Sequence, residues 1–320
     1  MTLRAKKPEP IQKRLKLFVY GAAGVGKTTA AIQFPSAYLI DTERGADPYT
    51  KTINKSRSVV FASNNFDEVS KEVKELLTTK HDYRTLIIDP VTQLYNSVQE
   101  KWTRVFEKHA KNEKEAEVQD FGMRYWGRVK SDFKTLQRML VSIDMNLIVT
   151  AHQKDLYGTG MSKIGVTFDS MKGEDYLYDL VFRLENRGSK RVAVTVKERA
   201  EIGEAKFPPE FEWSYENFCN FYGTDIIQRE SVPIRLATPE QTAKVKALLD
   251  VVRVSNEEVI AWFTKADVDA WEEMTNDTIG KIIDYLEKKV GSLSHGSLTQ
   301  ESSIQTKRVN DSRVNDPKGK

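Results

Sequence analysis

Short apolar runs alternate with segments of helical spacing over the first two thirds of the chain. The runs that predict strands are 15–20, 37–41, 58–62, 85–89, 146–151, 178–185 and 190–198. Between them, Asn65 and Glu68 form a capping box that predicts a helix start, and residues 91–110 and 119–143 have helical periodicity. Strands that alternate with helices predict an α/β fold with a mostly parallel sheet, helices on both faces, and ligands at the carboxyl ends of the strands.

The pattern changes after Gly223, where only helical signals follow. Thr238 with Gln241 and Ser255 with Glu258 have the spacing of helix starts. From about residue 291 the chain is polar and without periodicity, so it buries too little to offset the entropy of ordering. The chain therefore divides into a basic N-terminal arm (1–14), an α/β core (15–225), a small helical module (236–290) and a disordered tail (291–320).

Composition narrows the class of protein. The 320 residues are 39% hydrophobic and 30% charged with a net charge of +3, which excludes collagen-like and wholly disordered chains. The single cysteine, Cys219, excludes an internal disulfide framework and a multi-cysteine zinc site. No window approaches ~18 consecutive apolar residues and no signal-peptide core is present, so we expect no membrane contact and a cytoplasmic location.

The run GAAGVGKT has the spacing of a phosphate-binding loop and lies between a predicted strand and a predicted helix. In this motif backbone N–H groups surround the phosphates, Lys27 reaches the β- and γ-phosphates, and the Thr28 hydroxyl coordinates Mg²⁺. The motif predicts binding of ATP with Mg²⁺ rather than a turn that binds nothing. The predicted ATP-binding residues are Gly21, Ala22, Ala23, Gly24, Val25, Gly26, Lys27, Thr28 and Thr29.

Asp89 ends the apolar strand TLIID. An aspartate in this position is often only a turn former. With a phosphate-binding loop upstream, however, it is placed to orient Mg²⁺ through its water shell. We therefore predict Thr28 and Asp89 as the metal-binding residues.

The segment AYLIDTERGADPY resembles the bacterial RecA recombinases, in which a glutamate at this place polarises the attacking water. The resemblance assigns that role to Glu43, although a solvated acidic turn is the simpler alternative. NLIVTAHQK is similar to the RecA strand that ends in a γ-phosphate sensor before a mobile DNA-binding loop. The usual Asn-Gln is absent, so His152 or Gln153 would take that role, and we favour His152.

RVAVTVKER resembles the strand whose alternating cations reach the ATP of a neighbouring subunit in RecA-like assemblies. The resemblance gives that trans-acting role to Lys197 and Arg199, while an ordinary exposed strand face is the alternative. Residues 15–215 as a whole resemble the short RecA-like ATPases of bacteriophages, the Sak-type proteins of single-strand annealing and recombination. That resemblance implies a RecA-like core, a homo-oligomeric ring or filament, and partners such as single-stranded DNA and a single-strand-binding or annealing protein.

Single-stranded DNA binding requires cations for the phosphates and aromatic faces for the bases. The glycine-containing stretch 153–173 supplies Lys154, Tyr157, Lys163 and Lys172, and we expect it to be a flexible loop. A second candidate surface carries Arg124 and Arg128 on the predicted helix 119–143. A lid, a long loop or a solvated helix face are the alternatives.

Three functions fit this sequence. The leading one is a RecA-like ATPase that acts on single-stranded DNA, of which a hexameric helicase is a variant. A small-molecule kinase would share the phosphate-binding loop but needs an arginine-rich lid, and no such run of arginines is evident. An ATP-gated DNA-binding protein without useful hydrolysis is the third.

Overall fold

The computed structural model describes residues 14–110, 115–199 and 203–291. The predicted N-terminal arm, except Arg14, and the predicted disordered tail, except Gly291, lie outside the described residues. Contacts divide the chain into two compact units; the first ends at Ile234 and the second begins at Arg235.

The described residues of the first unit form nine strands. They are β1 (Lys16–Gly21), β2 (Ala37–Asp41), β3 (Val59–Ala62), β4 (Thr85–Asp89), β5 (Asn146–Tyr157), β6 (Lys163–Asp169), β7 (Leu180–Arg187), β8 (Lys190–Glu198) and β9 (Glu210–Glu212). Its helices are α1 (Lys27–Ala31), α2 (Thr50–Lys55), α3 (Phe66–Thr78), α4 (Val91–Ala110), α5 (Glu115–Ser142), α6 (Tyr215–Tyr222) and α7 (Thr224–Gln228).

The strands form one sheet in the order β3-β2-β4-β5-β1-β7-β8-β9, and β6 pairs with β5 outside this path. Strands β3, β2, β4, β5, β1 and β7 run parallel. Strands β8 and β9 continue the sheet in antiparallel fashion. Because the parallel strands end at one edge, Gly21, Asp41, Asp89 and His152 come together there. The predicted α/β core is confirmed.

Two apolar clusters cover the two faces of the sheet. One cluster packs α3, α4 and α5 against the sheet through residues such as Val73, Val98 and Phe133, each fully buried. The other packs α1 and α6 through Ala30 and Phe218. The inner parallel strands β1, β2, β4 and the first half of β5 are buried on both sides, which explains why their sequences are continuous apolar runs rather than alternating ones.

One prediction about this unit is wrong. The stretch 153–173 is not a flexible loop over its whole length, because β5 continues to Tyr157 and the chain returns as β6, antiparallel to it. We call residues 152–169 the β5–β6 hairpin. Strand β9 and helices α6 and α7 were not predicted, because their lengths of 3, 8 and 5 residues are too short for periodicity to indicate an element.

The second unit is helical where it is described. It contains α8 (Pro239–Val251), α9 (Asn256–Ala266) and α10 (residues 276–291). The capping box of Thr238 and Gln241 is present at the start of α8. Val245, Ile279 and Leu286 are fully buried in its own apolar cluster. None of the described helices of the chain has the length and apolar character that crossing a membrane requires.

Candidate functional site

The phosphate-binding loop joins β1 to α1. Gly24 and Gly26 have φ angles of 72° and 88°, which only glycine adopts without strain. A Cβ on Gly21 would lie 2.7 Å from the carbonyl oxygen of Leu184 on the neighbouring strand, so this position is closed to any side chain. The three motif glycines therefore set the course of the loop.

Lys27 and Thr28 are the first two residues of α1. The Lys27 ammonium donates to the carbonyl oxygens of Gly21 at 2.9 Å and Ala22 at 3.0 Å. Burial lowers the pKa of Lys27, and the carboxylates of Asp89 and Glu43 oppose that shift. The ammonium is thus held within the loop that carries the motif, where a phosphate oxygen would replace its carbonyl partners.

Asp89 ends β4 and is 5% exposed. Burial raises the pKa of its carboxyl group, while hydrogen bonds from the hydroxyl groups of Thr150 and Thr28 lower it. The Thr28 hydroxyl and the Asp89 carboxylate are therefore neighbours, which is the arrangement that a Mg²⁺ ion bound to a nucleotide requires. In the described residues no group of three or more His, Cys, Asp or Glu side chains forms a metal site of its own, so these two oxygens fit a metal completed by phosphate and water.

Asp41 ends β2 and organises the loop that carries Glu43. One carboxylate oxygen of Asp41 accepts from the backbone N–H groups of Glu43 at 3.2 Å and Gly45 at 3.1 Å. The other accepts from Ala46 N–H at 2.8 Å. Asp41 is 1% exposed, so the position of Glu43 rests on a buried and fully bonded carboxylate rather than on a mobile acidic turn.

The Glu43 carboxylate is held from two other elements. The Gln93 side-chain amide, near the start of α4, donates to it at 2.6 Å. His152 Nε2, on β5, lies 3.1 Å from the same carboxylate. Gln93 and His152, which are 50 and 109 positions from Glu43 in the chain, thus meet at its carboxylate. Glu43 is 35% exposed, so water reaches it.

Thr92 ties this cluster to the β5–β6 hairpin. Its hydroxyl accepts from the backbone N–H of His152 at 3.0 Å and donates to the Asp169 carbonyl at 2.7 Å. His152 and Asp169 are paired in the hairpin register. One hydroxyl therefore joins the segment after Asp89 to both strands of the hairpin at its base.

These groups surround one pocket of about 550 Å³. It is lined by residues of the phosphate-binding loop and of the strand ends, including Gly21, Ala23, Gly24, Gly26, Lys27, Thr28, Thr29, Asp41, Glu43, Tyr49, Asp89, His152, Gln153 and Arg191. Both candidate phosphate sensors, His152 and Gln153, lie in this wall. Of the two, His152 contacts Glu43.

The predicted DNA-binding residues lie in two separate places. Lys154 and Lys163 are exposed on the β5–β6 hairpin, but each forms an ion pair within it, with Asp169 at 2.9 Å and Asp155 at 2.7 Å. Tyr157 is 59% exposed near the hairpin tip, and Lys172 is exposed beyond its end. The hairpin therefore presents cations and an aromatic ring, with acidic partners that a nucleic acid would have to replace.

The helix surface with Arg124 and Arg128 is built differently. The Arg128 guanidinium lies 5.9 Å from the centre of the Trp102 ring. Arg124 is exposed and has a contact of its own. The Trp126 side chain beside them is 46% exposed. This surface lies on α5, and neither arginine lines the pocket.

Lys197 and Arg199 lie toward the opposite end of the sheet from the pocket of their own chain. Lys197 pairs with Val181, near the start of β7, and neither cation lines the pocket. Lys197 donates to the Asp175 carbonyl at 2.8 Å, and Arg199 forms an ion pair with Asp179 at 3.1 Å. Both are thus bonded within the chain, and neither can serve its own pocket from this position.

Sequence reasoning missed three residues of this site. None of the three belongs to a motif. The placement of α4 brings Gln93 to Glu43 and Thr92 to Asp169, and the register of the sheet brings Arg191 into the lining of the pocket. The one signal that could have marked Thr92 and Gln93 is that they form a polar pair shortly after Asp89, the end of β4.

A family model described as AAA domain matches residues 13–204, more than half of the chain. Comparison with curated proteins gives no match. Among solved structures, the crystal structure of the RadB recombinase is similar at 17% sequence identity with a TM-score of 0.34, and the match covers 57% of this chain and 81% of that chain. A likeness this distant says nothing about what the chain binds.

Proposed function

The chain belongs to the AAA domain family, and from this premise we propose that it hydrolyses ATP with Mg²⁺ and couples that reaction to binding of single-stranded DNA. The matched residues, 13–204, include the phosphate-binding loop GAAGVGKT. The observation that carries the proposal is the Glu43 carboxylate, held by Gln93 and His152 at the mouth of the phosphate pocket.

The residues present support in-line attack of water on the γ-phosphate. Glu43 accepts a hydrogen bond from the water and orients it, and Gln93 fixes the carboxylate that does so. Lys27 stabilises negative charge on the phosphates. Thr28 and Asp89 would hold Mg²⁺, which supplies further charge neutralisation when it is bound.

Coupling to DNA would run through the base of the β5–β6 hairpin. His152 contacts Glu43 through its side chain and Thr92 through its backbone, so a change at the γ-phosphate moves the strand that continues into Lys154 and Tyr157. In this proposal the hairpin binds single-stranded DNA when ATP is bound, with Lys154, Lys163 and Lys172 at phosphates and Tyr157 against a base. Arg124 and Arg128 extend the same DNA path.

Assembly completes the proposed site. Lys197 and Arg199 lie away from their own pocket, which supports a role at the ATP of a neighbouring copy in a ring or filament. Such an assembly on single-stranded DNA is suited to annealing, recombination or replication in the cytoplasm, in the manner of the phage proteins that the sequence resembles. A single-strand-binding or annealing protein is the partner that this role requires.

The test measures fluorescence anisotropy of a labelled single-stranded oligonucleotide with ATP, with ADP and without nucleotide. We expect ATP to tighten binding, and Lys154→Ala and Lys163→Ala each to weaken it and to reduce the dependence on salt by about one ion per lysine. Lys71→Ala, an exposed lysine of α3 paired with Glu75, is the matched control and should bind like the wild type. DNA binding that is absent, or identical in all three nucleotide states, would contradict the coupling.

A further inference from the structure

Arg191 approaches the phosphate-binding loop from a strand that no motif marks. Strand β8 is antiparallel to β7, so its first residues lie at the edge of the sheet where the parallel strands end. Side chains alternate between faces along a strand, so Arg191 points to the same side as Ala193. Ala193 is buried in the cluster that contains Val25 and Ala30, which places Arg191 on the face that carries the loop and α1.

The Arg191 guanidinium lies directly against the loop. Its Nε donates to the Val25 carbonyl at 2.8 Å. A Cβ added to Gly26 would be 2.1 Å from Arg191 Nη2, so the guanidinium occupies the side of Gly26 that any other residue would fill. Val25 and Gly26 immediately precede Lys27. Arg191 also lines the pocket together with Lys27 and Thr28.

Among the described residues, no neighbour neutralises the charge of Arg191. Within the described part of the chain no carboxylate lies in ion-pair range of its guanidinium, although the strand pair around it is rich in such pairs. Lys190 pairs with Glu212 at 2.6 Å, and Arg187 pairs with Glu185 at 3.1 Å. A guanidinium that is fixed through Nε keeps its terminal N–H groups for an anionic partner, and two phosphate oxygens fit the spacing of those groups.

We propose that Arg191 is a cis-acting nucleotide ligand whose terminal N–H groups bind an oxygen of the β- or γ-phosphate. The choice of these phosphates follows from its place beside Val25 and Gly26, because the next residue, Lys27, is the one that reaches the same phosphates. The inference rests on the nucleotide site of the proposed function. It adds a charge to that site from the same chain, whereas Lys197 and Arg199 would come from a neighbour.

The experiment measures affinity for ATP, ADP and AMP by competition against a fluorescent ADP analogue, together with the thermal unfolding temperature of the nucleotide-free protein. Arg191→Ala should weaken ATP binding roughly tenfold to a hundredfold, the range of a hydrogen bond to a charged group. ADP binding should weaken to the same extent if the contact is to the β-phosphate, and should stay unchanged if the contact is to the γ-phosphate. AMP affinity should change by less than about twofold, because AMP lacks the contacted phosphates. Arg191→Lys, which keeps the charge, should recover part of the loss. Lys190→Ala is the matched control and should behave as the wild type.

If Arg191 only stabilised the conformation of the phosphate-binding loop, the affinities would change in a different pattern. Arg191→Ala would then weaken all three nucleotides equally and lower the unfolding temperature, and Arg191→Lys would recover nothing. That pattern, or ATP and ADP affinities within about twofold of the wild type, would overturn the inference. Failure of the proposed nucleotide site can be distinguished from failure of the Arg191 inference. If the nucleotide site is wrong, the wild type and Lys27→Ala should bind ATP equally poorly.

Discussion

Gln93→Ala removes one of the two side chains that hold the Glu43 carboxylate. The Gln93 amide donates to Glu43 at 2.6 Å, and His152 supplies the second contact at 3.1 Å. A hydrogen bond to a charged group contributes about 1.5–3 kcal/mol. Because Glu43 is 35% exposed and keeps His152, we take the lower end, about 1.5 kcal/mol, which corresponds to about a tenfold fall in kcat.

The assay is steady-state phosphate release from ATP at saturating Mg²⁺. The Gln93 amide contacts the carboxylate and not the phosphate-binding loop, so KM for ATP should stay within about twofold of the wild type while kcat falls. Gln99→Ala is the matched control on α4, because the side-chain amide of Gln99 donates to the Tyr95 carbonyl of its own helix. If Gln93→Ala hydrolyses ATP as fast as Gln99→Ala, Gln93 does not position Glu43 for the reaction.

Two further predictions concern buried carboxyl groups. Asp41→Ala leaves the N–H groups of the Glu43 loop without their acceptor and should cost about 3 kcal/mol of unfolding free energy, measured by chemical denaturation; a loss below about 1 kcal/mol would show that the loop does not depend on this carboxylate. Burial raises the pKa of Glu174 from 4.5 to about 7, so the stability that its proton provides is complete below pH 4.5 and is lost as pH rises to about 7. The difference is about 3 kcal/mol, and Glu174→Gln should remove that slope between pH 4.5 and about pH 7, whereas an unchanged slope would assign the pH dependence to other groups.

The fold could be predicted where apolar runs and turn signals agree. The buried parallel strands β2 and β4 have the predicted bounds, Ala37–Asp41 and Thr85–Asp89, because both of their faces are covered and their sequences are continuously apolar. The β5–β6 hairpin was missed because its strands are exposed and its turn contains Gly158 and Gly160. Exposed two-stranded ribbons and loops have the same composition, and only pairing distinguishes them.

The site could be predicted only where a motif carries it. The phosphate-binding loop and Asp89 have local signatures, because backbone geometry and a strand end determine them. The contact of Glu43 with Gln93 depends on how α4 starts after β4, and that of Arg191 with Val25 on the register of β7 and β8. No pattern of neighbouring residues in the sequence predicts either contact, because the residues in each contact are far apart in the chain and meet only after the sheet has formed. The roles of Glu43, His152, Lys197 and Arg199 stay predictions.

The most direct test of the central claim is the rate of ATP hydrolysis by the wild type and by Glu43→Gln, each with and without single-stranded DNA. We expect DNA to raise turnover by the wild type, and Glu43→Gln to lose turnover by a hundredfold or more, on the order of the general-base contribution, while it keeps its affinity for ATP. Glu100→Gln, an exposed glutamate of α4, should hydrolyse ATP like the wild type. ATP hydrolysis by Glu43→Gln at the wild-type rate would contradict the assignment of Glu43. A wild-type rate that is the same with and without single-stranded DNA would contradict the coupling.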